Sequence, residues 1–300
     1  MKLSPKDFMH PKDQAALEHL KAIPAFDQIV KKILAMGFEQ YQYGINMASR
    51  IRLSERQLPE IYKHLPPICE KLGIPEPELY LQMSPEPNAW TAGDTRVYIT
   101  LTSSLLEYMT DEELDAIIAH ECGHIFCHHV LYKTIAYYLQ NMADALGLLG
   151  TFATPVKLAL SYWERMSELS ADRAAAIVTS PEVLSSTMVR LAGGPKSITQ
   201  NINYDEWMKQ AYEYERICND GVINKAMQLN ATLMLDHPFC AVRVKEIREW
   251  GFSEEYKRIK SFLENTDAGV ESMEAMRCSA CGKEVEENWA FCRYCGNKLK

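Results

Sequence analysis

Two histidines one helical turn apart constrain this chain more than any other feature of its sequence. The run from His120 to His124 has the form H-E-x-x-H, with Glu121 directly after the first histidine. On a helix, residues four apart project from the same face, so both imidazoles can bind one cation. Glu121 is rotated away from that face, yet it stays close enough to a metal-bound water to act as a general base. The motif therefore indicates a catalytic zinc site, provided that the segment is helical.

The sequence around the motif predicts such a helix. Thr110 and Glu113 form a capping box just before an apolar run, and we expect the helix to extend to about Tyr132. The pattern beyond Thr110 is almost wholly helical, whereas residues 78–83 and 96–103 have the character of strands. The predicted fold class is therefore α+β and mostly helical, with a small sheet.

A tetrahedral catalytic zinc needs a third protein ligand from elsewhere in the chain, because the fourth position stays open. Glu168 is one candidate, since it lies on a predicted helix with Asp172 one turn further along the same side. That spacing lets Glu168 bind zinc while Asp172 accepts the free N–H of a liganding histidine. The other candidate is a third histidine in the longer H-E-x-x-H-x-x-G-x-x-H pattern, which fails because Cys127 and Val130 occupy its last fixed positions. Glu168 is preferred.

Four cysteines near residue 300 form a second metal-binding pattern. Cys278 with Cys281, and Cys292 with Cys295, are two C-x-x-C pairs, each followed by a glycine. Such pairs present four thiolates to one zinc ion, and so short a segment depends on the metal for most of its folding energy. We predict a closed, structural zinc ribbon here. The predicted organisation is a catalytic domain, a linker and the ribbon, at residues 1–264, 265–277 and 278–300.

Further motifs link the chain to a known family. Six of them occur in order: Leu58-Pro59-Glu60-Ile61-Tyr62, Leu72-Gly73-Ile74-Pro75, Asn88-Ala89, Leu101-Thr102-Ser103-Ser104-Leu105-Leu106, Asp111-Glu112-Glu113-Leu114, and His237-Pro238 with Arg243. Together with the zinc motif and the pair Glu168 and Asp172, they resemble the HtpX-type and CAAX-prenyl-protease-type gluzincin metallopeptidases. The resemblance covers roughly residues 55 to 250. It implies a zincin-like domain that acts as a zinc endopeptidase.

The resemblance also implies roles for individual residues. The implied zinc ligands are His120, His124 and Glu168, with Glu121 as the base and Asp172 as the orienting carboxylate. Such a site hydrolyses peptide bonds through a metal-activated water.

Other implied roles concern the substrate. An extended peptide would add as a strand along the sheet edge at Asn88 and Ala89. His237 would steady the oxyanion or occupy the open metal position as a gate, with a surface residue at a helix start as the competing interpretation. Arg243 is interpreted as a structural or oxyanion-supporting residue.

Composition limits the partners of the chain. The net charge of −8 argues against a broad basic surface, so we expect no stable nucleic-acid binding. The most apolar stretch, residues 145–156, is shorter than the ~20 residues of a membrane span, and the first residues lack the apolar core of a secretory signal. Nine cysteines are an odd number, and those outside the ribbon are scattered, which favours a reducing compartment. We therefore predict a soluble, cytoplasmic protein.

Two alternatives accompany these predictions. The chain is either a protease or a slow or silent peptide-holding chaperone that uses the ribbon as an adaptor. The intact Glu121 favours the protease, because a pure binder has no use for a base beside the metal. The ribbon is expected to recruit a protein partner. His128, one turn after His124, is expected to pack or to make a supporting hydrogen bond rather than to close the metal site as a fourth ligand.

Overall fold

The structure is a computed structural model that describes residues 3–23, 26–34, 37–142, 153–219, 221, 239–271 and 281. The chain divides into two compact units, Met1–Tyr256 and Lys257–Lys300. The helices of the described residues are α1 (Pro11–Lys21), α2 (Phe26–Leu34), α3 (Phe38–Ser49), α4 (Pro59–Tyr62), α5 (Leu65–Leu72), α6 (Ser103–Tyr108), α7 (Asp111–Phe126), α8 (Val130–Met142), α9 (Ala153–Val178), α10 (Pro181–Gly193), α11 (Lys196–Thr199), α12 (Tyr204–Asn219), α13 (Cys240–Gly251) and α14 (Glu254–Glu271). The strands are β1 (Ile51–Arg52), β2 (Glu78–Gln82), β3 (Ala89–Ala92) and β4 (Tyr98–Thr102). The predicted α+β, mostly helical class is confirmed.

The four strands form one sheet in the order β1-β2-β4-β3. Strands β2 and β4 are parallel, whereas β3 runs antiparallel to β4 with Thr91 opposite Ile99. Every residue of β4 is buried, as expected for a central strand. The strand order makes β3 the outermost strand on one side of the described sheet. Strand β3 also contacts helix α7.

The predicted capping box opens α7. The Thr110 hydroxyl accepts a hydrogen bond from the Glu113 amide at 3.3 Å, and the Thr110 amide donates to Glu113 Oε2 at 3.0 Å. Two orphan amides at the start of the helix are thus satisfied reciprocally.

The expected extension of this helix to Tyr132 is wrong, because α7 ends at Phe126. His128 has the left-handed φ of 59°. The His128 amide donates to the Ile125 carbonyl at 3.1 Å and the His129 amide to the His124 carbonyl at 2.9 Å. This pair of bonds is a Schellman motif, which terminates a helix by satisfying its last carbonyls. The turn changes the direction of the chain directly after His124.

Helix α7 packs on α9 with unusually little space between the two backbones. A Cβ atom added at Gly123 would lie 2.7 Å from the Ala174 Cβ and 3.1 Å from the Ala171 Cα. Only glycine allows this approach. The close contact brings the predicted ligands on α7, His120 and His124, next to the predicted ligand on α9, Glu168.

The helices before residue 53 pack on the same body. Apolar residues of α1, α2, α8 and α9 form one buried cluster, which includes Leu20, Phe26, Leu139 and Trp163.

No helix within the described residues is long and apolar enough to cross a bilayer. The apolar stretch at residues 145–156 lies mostly outside them.

Candidate metal centre

Three side chains from α7 and α9 converge in the interior. His120 Nε2 lies 3.2 Å from Glu168 Oε2, and His124 Nε2 lies 3.2 Å from Glu168 Oε1. One ligand atom of each residue lies within 4.8 Å of those of the other two, and all three residues are buried. Two imidazole nitrogens and one carboxylate are the donor set of a catalytic zinc site. The residues therefore fit a zinc ion.

The orienting contact predicted for Asp172 is present in the structure. His120 Nδ1 lies 3.0 Å from Asp172 Oδ1. Arg243 donates to both oxygens of Asp172, from Nε at 2.7 Å and from Nη2 at 2.6 Å. Its Nη1 lies 3.2 Å from Glu168 Oε2. Arg243 thus fixes the carboxylate that faces His120, which agrees with a structural interpretation of this residue.

The two histidines differ in electrostatic environment. Burial disfavours a charged His120, but Glu168 and Asp172 outweigh it and raise the pKa of His120 to about 9. Burial and the neighbouring Lys133 ammonium hold the pKa of His124 well below its usual value. Burial opposes ionisation of Asp172, yet Arg243 and His120 lower its pKa. The Asp172 carboxylate therefore faces His120, whereas the Lys133 ammonium faces His124.

Lys133 was not predicted from the sequence. Its Nζ lies 2.9 Å from Glu168 Oε1 and 3.2 Å from His124 Nε2. Burial works against its charge, but Glu168 leads the charges that raise the pKa of Lys133. The ammonium therefore contacts two of the atoms that a metal ion would use.

Glu121 is buried, and its carboxylate faces the edge strand. The Thr91 hydroxyl donates to Glu121 Oε2 at 2.5 Å and also lies 3.3 Å from the Glu121 carbonyl. Thr91 belongs to β3, so the strand and the predicted base are joined directly. The alternation of β3 is too short to have identified Thr91 from the sequence.

A cavity opens between β3 and helices α7 and α10. Asn88 and Ala89, the predicted substrate-binding residues, line it together with His120 and Glu121. The remaining wall is mostly apolar and includes Leu105, Ala116, Ile117, Leu184, Met188 and Leu191. The structure thus places the predicted substrate edge beside the predicted base.

Other predicted residues have different outcomes. His237, Cys278, Cys292 and Cys295 lie outside the described residues, and Cys281 is exposed. His128 is exposed at the turn after α7, so the expectation that it packs beside the site is wrong, because the helix has already ended.

The neighbouring His129 is the buried histidine. It has no exposed surface, and its Nδ1 lies 3.0 Å from His124 Nδ1.

Two known protein families match parts of the chain. Residues 53–251 match peptidase family M48, and residues 277–299 match a zinc-ribbon domain. The plastoglobule-localized metallopeptidase 48 of the Arabidopsis thaliana chloroplast is 34% identical over 261 residues, which are 86% of this chain and 76% of that protein. No solved structure matches the chain.

Bacterial relatives match shorter parts of the chain. A protease HtpX homologue of Pelotomaculum thermopropionicum is 33% identical over 109 residues, which are 34% of this chain and 39% of that protein. Another, from Sulfurovum sp., is 31% identical over 166 residues, which are 46% of this chain and 59% of that protein. The family match covers well over half of the chain, and the ribbon match follows it. The chain therefore belongs to peptidase family M48, as a zinc metallopeptidase of the HtpX type with a C-terminal zinc ribbon.

Proposed function

We propose that this metallopeptidase is an endopeptidase in which His120, His124 and Glu168 hold the catalytic zinc and Glu121 is the general base. One observation carries the proposal: the three ligand groups converge beside a Glu121 carboxylate that the edge strand holds. Zinc at this position would supply Lewis-acid chemistry and lower the pKa of water toward neutrality.

The residues of the chain divide the remaining work. Glu121 takes a proton from the attacking water and passes it to the leaving nitrogen. The hydrogen bond from Thr91 fixes one carboxylate oxygen, so the orientation of the base is set before substrate arrives. Asp172 and Arg243 keep His120 in one ring orientation. His237 is proposed as an oxyanion donor or a gate.

The substrate is a protein or peptide in extended form. We place it along β3, where Ala89 and the preceding Asn88 line the cavity and main-chain hydrogen bonds can add one more strand. The apolar wall formed by Leu184 and Met188 favours an apolar side chain next to the scissile bond.

The ribbon is proposed to hold a second, structural zinc through Cys278, Cys281, Cys292 and Cys295, and to recruit a protein partner. No stable nucleic-acid complex is proposed.

A cytoplasmic location is proposed on the spacing of the cysteines. Those outside the ribbon are scattered along the chain, which favours a reducing compartment.

Hydrolysis of an unstructured protein such as casein tests the proposal. Glu121→Gln should lower the rate about 10²- to 10⁴-fold, the usual contribution of a general base, while zinc content stays unchanged. Glu112→Gln is the matched control, because Glu112 is exposed on the same helix. A chelator should abolish the activity of the wild-type protein.

The same assay separates the protease from the peptide-holding alternative. Equal capture of casein by wild type and Glu121→Gln, with no cleavage by either protein, would contradict the proposal and favour the holder.

A further inference from the structure

The second histidine of the zinc motif is connected to the start of the chain through two buried residues. His124 Nδ1 lies 3.0 Å from His129 Nδ1, and His129 Nε2 lies 2.9 Å from Asp13 Oδ2. The N–H of His129 Nε2 does not point straight at the oxygen, yet no better-aligned partner exists for it among the described residues. His124, His129 and Asp13 have no exposed surface.

Asp13 is itself held firmly. Its Oδ1 accepts from Trp163 Nε1 at 3.0 Å, and its Oδ2 accepts from the Ser170 hydroxyl at 2.5 Å. Ser170 lies on α9 between Glu168 and Asp172, and its hydroxyl also accepts from the His10 amide at 3.0 Å. A buried carboxylate with this many donors is positioned rather than merely tolerated.

The proton positions along this chain of contacts follow from the chemistry of imidazole. A histidine that gives Nε2 to a metal carries its proton on Nδ1, so His124 Nδ1 must donate and His129 Nδ1 must accept. His129 then carries its proton on Nε2, where the Asp13 carboxylate faces it. Asp13 therefore favours the His129 tautomer that His124 needs as a ligand.

We propose that Asp13 and His129 are positioning residues for His124, and that helix α1 supplies part of the metal centre. The proposal rests on the zinc site described under the proposed function. Asp13 lies before residues 53–251, the part that matches family M48, so the pair extends the site beyond the matched region.

Zinc affinity of the full chain, measured by competition with a chelator, tests this pair. His124→Ala first identifies the zinc equivalent bound at this site, since the ribbon would retain its own. Loss of that equivalent is expected. If wild type and His124→Ala bind zinc equally, the zinc site itself is absent, and that result overturns both proposals.

His129→Phe keeps a ring but removes both contacts, and it should raise the zinc dissociation constant about 10-fold. Asp13→Asn leaves a single acceptor oxygen facing Trp163, Ser170 and His129. This change should raise the zinc dissociation constant severalfold. Glu18→Gln is the matched control, because Glu18 lies exposed on the same helix, and it should change nothing.

A purely structural role for Asp13 predicts a different pattern. If Asp13 acts through His129, Asp13→Asn has no further effect on zinc affinity in the His129→Phe background. Imidazole ¹⁵N spectra of the zinc-loaded wild type should show His124 protonated at Nδ1 and His129 at Nε2. Additive losses in the double variant, or a proton on His129 Nδ1, would overturn the proposal even where zinc still binds.

Discussion

The two histidines of the zinc motif are supported in opposite ways. His120 contacts a carboxylate directly, and that carboxylate, Asp172, lies one helical turn after Glu168 on the same helix. His124 reaches Asp13 through His129, which enters from a turn, while Asp13 comes from a helix near the start of the chain. The spacing of Glu168 and Asp172 on one helix is visible in the sequence, whereas a connection built from three separate segments exists only in the folded chain.

Gly123→Ala tests the close packing of α7 on α9, on which the supports of both histidines depend. We expect the largest effect from this substitution. A Cβ would lie 2.7 Å from the Ala174 Cβ, so α7 and α9 must separate. Overpacking of this kind lowers the free energy of unfolding by about 1–3 kcal/mol. A shift of the ligands by even ~1 Å is expected to lower casein hydrolysis on the order of 100-fold. Thermal unfolding and the casein assay measure the two effects.

Gly44→Ala is the control for this substitution. Gly44 lies in helix α3, and a Cβ there would meet no atom within 4 Å. Because alanine favours a helix, this change should be neutral or slightly stabilising. Wild-type activity and stability in Gly123→Ala would show that the close approach of the helices does not position the site.

Asp172→Asn weakens the direct support alone. The neutral asparagine amide has only one acceptor oxygen, so it cannot accept hydrogen bonds from both His120 and Arg243 as the carboxylate does. We therefore expect zinc affinity to fall about 10- to 100-fold. This loss should exceed that of His129→Phe, since Asp172 also pairs with the buried Arg243. Competition with a chelator measures both variants under the same conditions.

The control is Asp205→Asn, a change at an exposed carboxylate of α12. A loss in Asp172→Asn smaller than that in His129→Phe would reverse the proposed ranking of the two supports.

The limits of prediction from the sequence follow the same division. The H-E-x-x-H spacing predicted His120 and His124 on one helix face, and the four-residue step predicted Glu168 and Asp172 together, because helical periodicity fixes these distances. Nothing in the sequence placed Asp13 near the motif, because only tertiary packing of α1 on α9 brings it there.

The end of α7 was misplaced for a related reason. A helix continued to Tyr132 would put His128 on the face of His124, whereas the turn instead directs His129 toward His124. His128 takes the left-handed conformation that glycine usually occupies at the end of a helix. Because no glycine is present there, the sequence gave no signal that the helix ends.

Lys133→Met sharpens the comparison further, because the Lys133 ammonium contacts Nε2 of His124, the atom that would bind the metal. The Lys133 ammonium also contacts Glu168. A zinc ion held by the same atoms would have to displace the ammonium or tolerate its charge. We expect zinc affinity to rise about 10-fold and the metal-free protein to lose stability, because Glu168 then keeps less compensation of its charge.

Lys209→Met, a change on the exposed surface of α12, serves as the control. Weaker zinc binding by Lys133→Met would instead assign Lys133 a supporting role in the loaded site.

Glu246→Gln gives the smallest expected effect and tests whether the two supports are joined. Glu246 lies on α13, three residues after Arg243, and pairs with Lys12 at 2.7 Å and His10 at 3.5 Å. The hydrogen bond from His10, followed by Lys12, lowers the pKa of Glu246 to about 2. One helix thus carries the residue that fixes Asp172 and the residue that fastens the beginning of α1, close to Asp13.

A carboxyl group whose pKa is lowered on folding stabilises the protein at any pH above the pKa that the group has in the unfolded chain. For Glu246 this contribution is lost as the pH falls from about 4.5 toward 2. Because Lys12 is half exposed, solvent screening leaves this contribution at about 1 kcal/mol. Glu246→Gln should therefore be less stable than wild type by that amount in urea unfolding at pH 6, with the difference vanishing below about pH 2, while Glu18→Gln shows none. If α13 joins the two supports, the variant should also weaken zinc binding slightly at pH 7. A loss of stability with unchanged zinc affinity would show that the start of α1 is anchored independently of Asp13.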